Sequence, residues 1–405
     1  MAQKIKITGV VQGVGFRPFV YGLATRLDLH GWVRNTSGGV EIVVQGEKAE
    51  EESFIRRLPL EAPPLAKINS INVEAETARQ KFTTFDIRHS TASSGGYQPI
   101  SVDVALCPDC ERELFDPNDR RYLYPFINCT NCGPRFTIIK DIPYDRPKTT
   151  MAAFPMCEDC HTEYQDPRDR RFHAQPVACP ECGPFVELRC YGIHCDDKIA
   201  NVSNIEYRIS AILKARRLLK QGYILAVKGL GGFHLACDAT NAKAVNELRR
   251  RKGRSDKPFA LMAADMRTIQ SMCEVDQDEY DLLTGHIKPI VLLQQKTTRS
   301  SKTKSICDDV APNLDRLGVM LPYTPLHHLL LNQTDEVLMK EPSPTLLVMT
   351  SGNFSEEPIA MHNQEALQQL SPLADAFLLH NRGIHVRCDD SVVKVDHHDT
   401  IYLRR

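Results

Sequence analysis

A duplicated cysteine-rich segment constrains the fold of this 405-residue chain more than any other feature. From residue 107 the sequence reads CPDCERELFDPNDRRYLYPFINCTNCGPRF, and 50 residues later it returns as CEDCHTEYQDPRDRRFHAQPVACPECGPF. Each copy holds two C-x-x-C pairs separated by 18 residues, with a D-P-x-D-R-R motif between the pairs. A lobe with so few apolar residues cannot be stabilised by a hydrophobic core alone and needs another source of stability, such as a bound metal ion. We therefore predict a duplicated small module over residues 105–190.

The paired cysteines have the spacing of four-cysteine zinc sites, because each C-x-x-C turn presents two thiolates to one tetrahedral ion. The first residues lack the apolar core of a signal peptide, so we expect a cytoplasmic chain with reduced thiols. Reduced thiols favour metal ligands over disulfides or redox pairs, and we predict two structural zinc ions. We expect pairing within each repeat, with pairing across the repeats as the alternative. The predicted ligands are Cys107, Cys110, Cys129, Cys132, Cys157, Cys160, Cys179 and Cys182.

Charge and hydropathy argue against two classes of partner. The formal net charge is −1, so no overall positive field attracts nucleic acid or an anionic membrane surface. No apolar run reaches the roughly 18–20 residues that a bilayer-spanning helix needs. We therefore expect neither a nucleic-acid nor a membrane partner.

The first 91 residues alternate strand and helix patterns. KIKITGVV alternates as a strand does, PFVYGLATRLDL has helical spacing, and GWVRN and GVEIVVQG flank the turn TSGG as a hairpin. EEESFIRRL predicts a second helix, and INSINVEAE and KFTTFDIRH predict two more strands. We predict an α+β domain over 1–91, followed by a linker over 92–104 whose start, STASSGGYQP, has linker composition.

A glycine-rich turn, VQGVGFR, joins the first predicted strand to the first helix. Such a turn can direct several backbone N–H groups at one anion, and Arg17 adds a charge suited to phosphate. With GWVRNTSGGVE, which places Asn35 at the end of the next strand, the turn resembles the acylphosphatase family. The resemblance implies a ferredoxin-like βαββαβ fold in which Arg17 binds phosphate and Asn35 positions the attacking water. The implied phosphate loop consists of Gln12, Gly13, Val14, Gly15 and Phe16. A domain kept for stability, with an inactive site, is the alternative.

Residues 200–405 predict a third domain in which helices alternate with buried strands, as in α/β folds. YILAVKG, KPIVLLQ and TLLVMTSGN predict strands. ISAILKARRLLKQG, NAKAVNELRRRKG and NQEALQQLSPLADAF predict helices, the first of them ended by its glycine.

Two short motifs in this third domain suit a nucleotide. A K-x-R follows a helix pattern, and an S-x-N ends a strand, where open α/β sheets bind ligands. No G-x-x-x-x-G-K-[ST] occurs, so a P-loop enzyme is excluded, and the basic run 249–254 is by composition also typical of a solvated helix face. These motifs, with KGLGGFHLACDATN, resemble the YrdC family, which implies binding of ATP with magnesium. The implied nucleotide-binding residues are Lys228, Lys252, Arg254, Ser351 and Asn353.

The order acylphosphatase-like domain, duplicated four-cysteine lobe and YrdC-like α/β domain resembles the HypF family, the carbamoyltransferases of [NiFe]-hydrogenase maturation. The resemblance implies cleavage of carbamoyl phosphate to carbamate, internal transfer of the carbamate, and its reaction with ATP to carbamoyl adenylate. It also implies that the carbamoyl group is destined for the C-terminal cysteine of the partner protein HypE. The four-thiolate sites leave no open coordination position, so we expect the lobe to space and orient the two reaction sites.

The sequence departs from the family pattern at its end, and parts of it also fit two other functions. The family continues into a metal-dependent transferase domain after the point where this sequence ends in TIYLRR, so we expect an N-terminal fragment. A threonylcarbamoyl-adenylate synthase for tRNA would use the third domain alone, and the acylphosphatase-like segment argues against it. A zinc-ribbon nucleic-acid-binding protein is disfavoured by the near-zero net charge.

Overall fold

The structure is a computed structural model, and it describes residues 2–76, 81–91, 99–193, 204–296, 306–355 and 357–404. Residues 92–98 of the predicted linker and Cys195 lie outside the described residues.

The chain forms two compact units. The first unit comprises Met1–Val104 and Asn128–Gly183, and the second comprises Ala105–Ile127 and Pro184–Arg405. Part of the cysteine-rich region therefore packs with the N-terminal residues. The domain boundaries expected from the sequence, including the linker over 92–104, stay predictions.

The first unit is built around a five-stranded sheet covered by two helices. The strands are β1 (Gln3–Val10), β2 (His30–Thr36), β3 (Gly39–Gln45), β4 (Lys67–Ala75) and β5 (Phe85–Ile87), and the helices are α1 (Phe16–Arg26) and α2 (Lys48–Leu60). The strand order is β4-β1-β3-β2-β5, with β5 parallel to β2 and the other pairs antiparallel. Ile5, Val33 and Phe54 are fully buried in the core of this unit. The order of elements confirms the predicted ferredoxin-like domain.

The two cysteine repeats share local structure. Helices α3 (Pro108–Leu114) and α4 (Glu158–Gln165) each begin directly after the first cysteine of a repeat, which stands at the helix N-cap. Leu123 and His173, at corresponding positions, both have φ of +54°. This agreement confirms that the repeats are copies of one module.

The second unit contains a ten-stranded mixed sheet. The strand order is β15-β14-β10-β11-β9-β12-β8-β7-β13-β6. Its strands are β6 (Val186–Cys190), β7 (Leu225–Lys228), β8 (Phe233–Asp238), β9 (Leu261–Ala263), β10 (Ile290–Gln294), β11 (Arg316–Met320), β12 (Leu346–Ser351), β13 (Ala376–His380), β14 (Val392–Asp396) and β15 (Asp399–Arg404). Its helices are α5 (Asn204–Arg208), α6 (Ser210–Gln221), α7 (Ala242–Lys252), α8 (Met266–Met272), α9 (Gln277–Thr284), α10 (Pro325–Leu331) and α11 (Asn363–Gln369). Single turns of 3₁₀ helix lie at Arg146–Lys148 and Thr150–Ala153 in the first unit, and at Asp308–Val310 and Leu338–Lys340 in the second.

Most of the elements predicted for the third domain are present, and one is shorter than predicted. Helix α6 ends at Gly222, whose φ of +92° is the left-handed conformation that a glycine cap supplies. The helix expected over NQEALQQLSPLADAF ends at Gln369, and its last residues instead begin strand β13. Pro372 cannot continue a helix, and Ala376 and Phe377, which begin β13, are completely buried.

Cysteines outside the C-x-x-C pairs behave differently from one another. Cys237 and Cys273 are buried free thiols, and Cys388 is exposed. Cys190 is disulfide-bonded, so the expectation of reduced thiols throughout is wrong at this position.

Among the helices that the structure describes, none has the length and apolar character needed to cross a bilayer.

Candidate functional site

The eight C-x-x-C thiols fall into two groups of four, each drawn from one repeat. In the group formed by Cys157, Cys160, Cys179 and Cys182, the four sulfur atoms lie within 4.8 Å of one another. The Sγ atoms of Cys157 and Cys179 are 3.7 Å apart, and those of Cys179 and Cys182 are 3.8 Å apart. Four thiolates about 2.3 Å from one tetrahedral zinc ion would be about 3.8 Å apart, so the group fits the metal. The cysteines thus group within each repeat, as predicted, and not across the repeats.

Two glycines shape the turn between β1 and α1. Gly15 is the N-cap of α1 with φ of +73°, and Gly13 has φ of +72°, a conformation that other residues rarely adopt. A Cβ atom at Gly13 would lie 2.5 Å from Ser101 Oγ. The first N–H groups of an α-helix have no acceptor within the helix, so this turn presents backbone donors at the N-terminus of α1.

Arg17 and Asn35 are adjacent and buried in the first unit. The Arg17 side chain donates from Nη1 to Asp145 Oδ1 at 2.9 Å and from Nη2 to the backbone oxygen of Tyr144 at 3.2 Å. In the amide orientation that satisfies both groups, Asn35 Oδ1 accepts from Arg17 Nε at 3.2 Å and from Nη2 at 3.3 Å. The structure therefore brings together the two residues that the acylphosphatase resemblance singles out.

The side chains of the phosphate loop have structural contacts. Gln12 Nε2 donates to the backbone oxygens of Thr36 and Gly39 at 2.8 and 2.9 Å, and its Oε1 accepts from the Tyr144 backbone N–H at 3.0 Å. Val14 and Phe16 are buried in the core of the first unit. A phosphate at this loop would consequently meet backbone N–H groups rather than these side chains.

Residues of the cysteine-rich region between positions 128 and 183 complete this site. A pocket in the first unit is lined by Arg17 and Asn35 and also by Arg135, Tyr144 and His173. Sequence reasoning missed the last three. The repeats carried one signal: Arg135 has no counterpart in the second copy, which reads CGPF where the first reads CGPRF.

Arg135 supports the glycine turn. Arg135 is 1% exposed, and among the described residues its guanidinium donates to backbone oxygens, including Gly13 O at 2.6 Å and Thr130 O at 2.9 Å. Further bonds reach the carbonyls of Cys129, Cys132 and Pro134. This residue ties the turn to the loop of the first repeat's second C-x-x-C pair.

The burial of Tyr144 and His173 sets their protonation. Burial raises the pKa of Tyr144 to about 12, so its hydroxyl stays neutral. Burial and the nearby Arg17 charge lower the pKa of His173 to about 3, so this imidazole is neutral at pH 7. Arg17 is therefore the cation that remains for an anion in the pocket, together with the carbonyl-bound Arg135.

In the second unit, three of the predicted nucleotide residues meet. The Nζ of Lys252 donates to the backbone oxygens of Ser351 and Asn353 at 2.6 and 2.7 Å, and to Asn353 Oδ1 at 3.3 Å. Ser351 Oγ donates to the same Oδ1 at 2.8 Å. Lys252 closes α7 and Ser351 closes β12, so this cluster lies at a strand end, as the sequence predicts.

Lys252 is a buried cation with neutral partners. It is 3% exposed, and in the part of the chain that the structure describes no carboxylate pairs with it. Burial, with the charges of Arg254 and Lys257, lowers its pKa to about 7. A buried ammonium group without a counter-ion favours a bound anion.

Arg254 and Lys228 have other surroundings. Arg254 lies with its guanidinium carbon 5.2 Å from the centre of the Phe259 ring, and its buried Nε has no partner among the described residues. Lys228 Nζ donates to Asn363 Oδ1 at 2.7 Å and to the backbone oxygens of His380 and Arg382. Burial, with the charge of Arg382, lowers the pKa of Lys228 to about 8. Among the described residues, Lys228 and Lys252 have different hydrogen-bond partners.

Comparison with protein families divides the chain into three parts. The acylphosphatase model matches residues 3–87, and a model described as "HypF finger" matches residues 106–139 and 156–188. The Sua5/YciO/YrdC model, described as "telomere recombination", matches residues 217–405.

Whole-chain relatives carry all three parts. The chain is 50% identical over 400 residues to carbamoyltransferase HypF2 of Cupriavidus necator, covering 97% of the chain and 48% of that protein. It is 47% identical over 403 residues to carbamoyltransferase HypF of a Synechocystis species, covering 99% of the chain and 49% of the relative. The chain thus spans about half the length of these relatives.

A solved structure matches over the same span. The crystal structure of full-length HypF in the phosphate- and nucleotide-bound form superposes with a TM-score of 0.89 at 48% identity. The match covers 100% of this chain and 50% of that one.

Proposed function

Because the chain belongs to the HypF family of carbamoyltransferases, we propose that it carries out two reactions in series. In the first, water cleaves carbamoyl phosphate to carbamate and inorganic phosphate. In the second, a carbamate oxygen attacks the α-phosphorus of ATP, forming carbamoyl adenylate while the bond to pyrophosphate breaks. The single observation that best supports this proposal is the pocket shared by Arg17, Asn35 and the glycine turn.

The first reaction is assigned to that pocket. Arg17 and the backbone N–H groups of the turn Gln12–Phe16 bind the phosphate, and Asn35 positions the attacking water. Water attacks the phosphorus, and the bond from phosphorus to the carbamoyl oxygen breaks to release carbamate. This carboxylate is a good leaving group, so positioning and charge stabilisation supply most of the rate enhancement without a strong base. The solved HypF relative is described as phosphate-bound, in agreement with such a site.

The second reaction is assigned to the cluster at the end of β12. Lys252, Ser351 and Asn353 bind the ATP phosphates, and Arg254 contributes its unpartnered Nε. Lys228 is the fifth residue of the proposed nucleotide site. ATP is bound with magnesium, which neutralises phosphate charge. The same relative is described as nucleotide-bound.

The proposed acceptor of the carbamoyl group is the C-terminal cysteine of HypE, as the family resemblance implies. The two groups of four cysteines hold one structural zinc ion each, and no reaction step is assigned to these ions. A cytoplasmic location stays a prediction of the sequence.

Exchange of labelled pyrophosphate into ATP tests whether the two proposed reactions occur in sequence. The chain should exchange labelled pyrophosphate into ATP only when carbamoyl phosphate is present. Lys252→Ala should abolish exchange while phosphate release from carbamoyl phosphate continues. Arg17→Ala should abolish both, and added carbamate should restore exchange alone. Arg26→Ala is the matched control, because Arg26 is a more exposed arginine of the same helix that pairs with Glu61. Exchange without carbamoyl phosphate or carbamate would contradict the assigned substrate.

A further inference from the structure

His173 lies in the pocket beside Arg17, although it comes from the second cysteine repeat. The reactions proposed above do not use it. Its ring Nδ1 is buried and has no hydrogen-bond partner among the described residues. A buried polar atom without a partner is unfavourable, so a ligand that supplies a hydrogen bond would be favoured at this point.

The two repeats show that the histidine is not required by the module itself. The residue at the corresponding position of the first repeat is Leu123, which is buried and has the same φ of +54°. The same backbone turn therefore accepts a leucine in one copy. The exchange of leucine for an imidazole in the other copy points to a role in the pocket rather than in the turn.

The imidazole is held firmly by its neighbours. Its ring centre lies 4.9 Å from that of Tyr164 and 4.7 Å from that of Phe172. Its backbone N–H donates to Tyr164 O at 3.0 Å, and its carbonyl accepts from Gln175 Nε2 at 2.8 Å. A neutral imidazole has one donor and one acceptor nitrogen, so a fixed ring can accept a hydrogen bond from a defined direction.

On the basis of the proposed cleavage of carbamoyl phosphate, we infer that His173 selects the amide end of the substrate. With the phosphate at Arg17, Nδ1 of His173 accepts a hydrogen bond from the carbamoyl NH₂ group. An acyl phosphate with a methyl group in that place, such as acetyl phosphate, offers no donor and leaves Nδ1 without a partner. A site built around a hydrogen bond discriminates against an analogue that lacks the bonding group. His173 is thus a specificity-determining residue, and Arg17 and Asn35 act on both substrates.

The test compares two substrates in the 405-residue chain. His173→Leu places the residue of the first repeat at the matching turn, which keeps the backbone conformation accessible. We expect kcat/KM for carbamoyl phosphate to fall about tenfold, while that for acetyl phosphate stays within about twofold of the parent. His173→Asn, which supplies an amide oxygen as acceptor, should recover part of the preference for carbamoyl phosphate.

Two further variants separate the possible outcomes. His161→Leu changes an exposed histidine of the same repeat, which does not line the pocket, and should leave both rates unchanged. Equal losses for both substrates in His173→Leu, or an unchanged ratio, would overturn the assignment to His173. Arg17→Ala tests the cleavage itself: if it leaves both rates unchanged, the proposed function fails, whatever His173 does.

Discussion

At the residue scale, the proposed nucleotide site is marked by two buried lysines whose hydrogen-bond acceptors are neutral. Lys252 and Lys228 donate to backbone carbonyls and amide oxygens, and burial lowers the pKa of both. Such an arrangement destabilises the empty protein, because each ammonium group has lost water without gaining a counter-ion. The two lysines that we propose bind the polyphosphate therefore lower the free energy of unfolding of the empty protein.

Because Lys252 is buried without a counter-ion, its contribution to the free energy of unfolding should depend on pH. Its pKa is about 7 in the folded chain and about 10.4 when unfolded, so the unfolded chain binds more protons between these values. The Lys252 contribution to the free energy of unfolding therefore rises as pH increases from about 7 to about 10. Relative to the parent, Lys252→Met should lose stability over this range in urea unfolding at pH 6, 8 and 10.

Lys220→Met is the control for this measurement, because Lys220 is an exposed lysine at the end of α6. Its stability relative to the parent should not change with pH. A constant difference for Lys252→Met as well would show that Lys252 titrates with an ordinary pKa.

At the element scale, the turn between β1 and α1 determines what the pocket lined by Arg17 and Asn35 can bind. Gly13 and Gly15 hold left-handed backbone conformations that aim the start of α1 into the pocket. Gln12 and Arg135 then tie the turn to the β2–β3 hairpin and to the first cysteine repeat. The β2–β3 hairpin and the first cysteine repeat, which are distant in sequence, thus both contact the short turn before α1.

Alanine substitutions in this turn distinguish the cost of the left-handed backbone conformation from the cost of a steric clash. A left-handed conformation costs a residue with a Cβ roughly 1–2 kcal/mol, so Gly15→Ala should reduce the free energy of unfolding by about that amount. Gly13→Ala should cost more, because its Cβ also meets Ser101 Oγ at 2.5 Å. Both should slow phosphate release from carbamoyl phosphate, since the backbone donors are displaced.

Gly192→Ala is the control for Gly13→Ala and Gly15→Ala. Gly192 has φ of +70° and open space around its Cβ position, so it should lose stability but keep full phosphate release. Parent-like activity in Gly13→Ala and Gly15→Ala would contradict the role of this turn in binding.

At the scale of the whole molecule, the acylphosphatase-like residues do not form their pocket alone. Residues 128–183 belong to the same compact unit as the N-terminal sheet and contribute Arg135, Tyr144 and His173 to the pocket. Asp145 from the same segment holds Arg17 through an ion pair of 2.9 Å. Residues 128–183 of the cysteine-rich region therefore line the proposed reaction site and also carry ligands of the proposed zinc sites.

Loss of a zinc ligand should consequently affect the phosphate reaction. Metal analysis of the parent should give about two zinc ions per chain, one for each group of four thiolates. Cys179→Ser should lose about one ion, unfold at a lower temperature and release phosphate more slowly, because the loop that carries His173 is held by that group. Cys388→Ser changes an exposed cysteine outside both groups of four and should keep both the zinc content and the activity. Full zinc content in Cys179→Ser would contradict the assignment of Cys179 to a zinc site with Cys157, Cys160 and Cys182.

The local features of this protein could be predicted from short stretches of its sequence. The eight metal-ligand candidates follow from spacing, because a C-x-x-C turn is a short-range geometry. The element order of the N-terminal domain follows from the periodicity of its apolar residues, which reports the buried face of each strand and helix. Arg17, Asn35 and the glycine turn were recognisable because they belong to two contiguous motifs.

The distant side chains that surround those motifs became known from the folded structure. Nothing local in Tyr144 or His173 indicates that they line the Arg17 pocket, since they lie more than 120 residues further along the chain. Pro372 marked where α11 could not continue, but the strand that follows depends on burial in a sheet assembled from distant segments. Contacts of this kind arise from the packing of whole elements, and packing depends on the combined shape and polarity of surfaces that no short window of sequence contains.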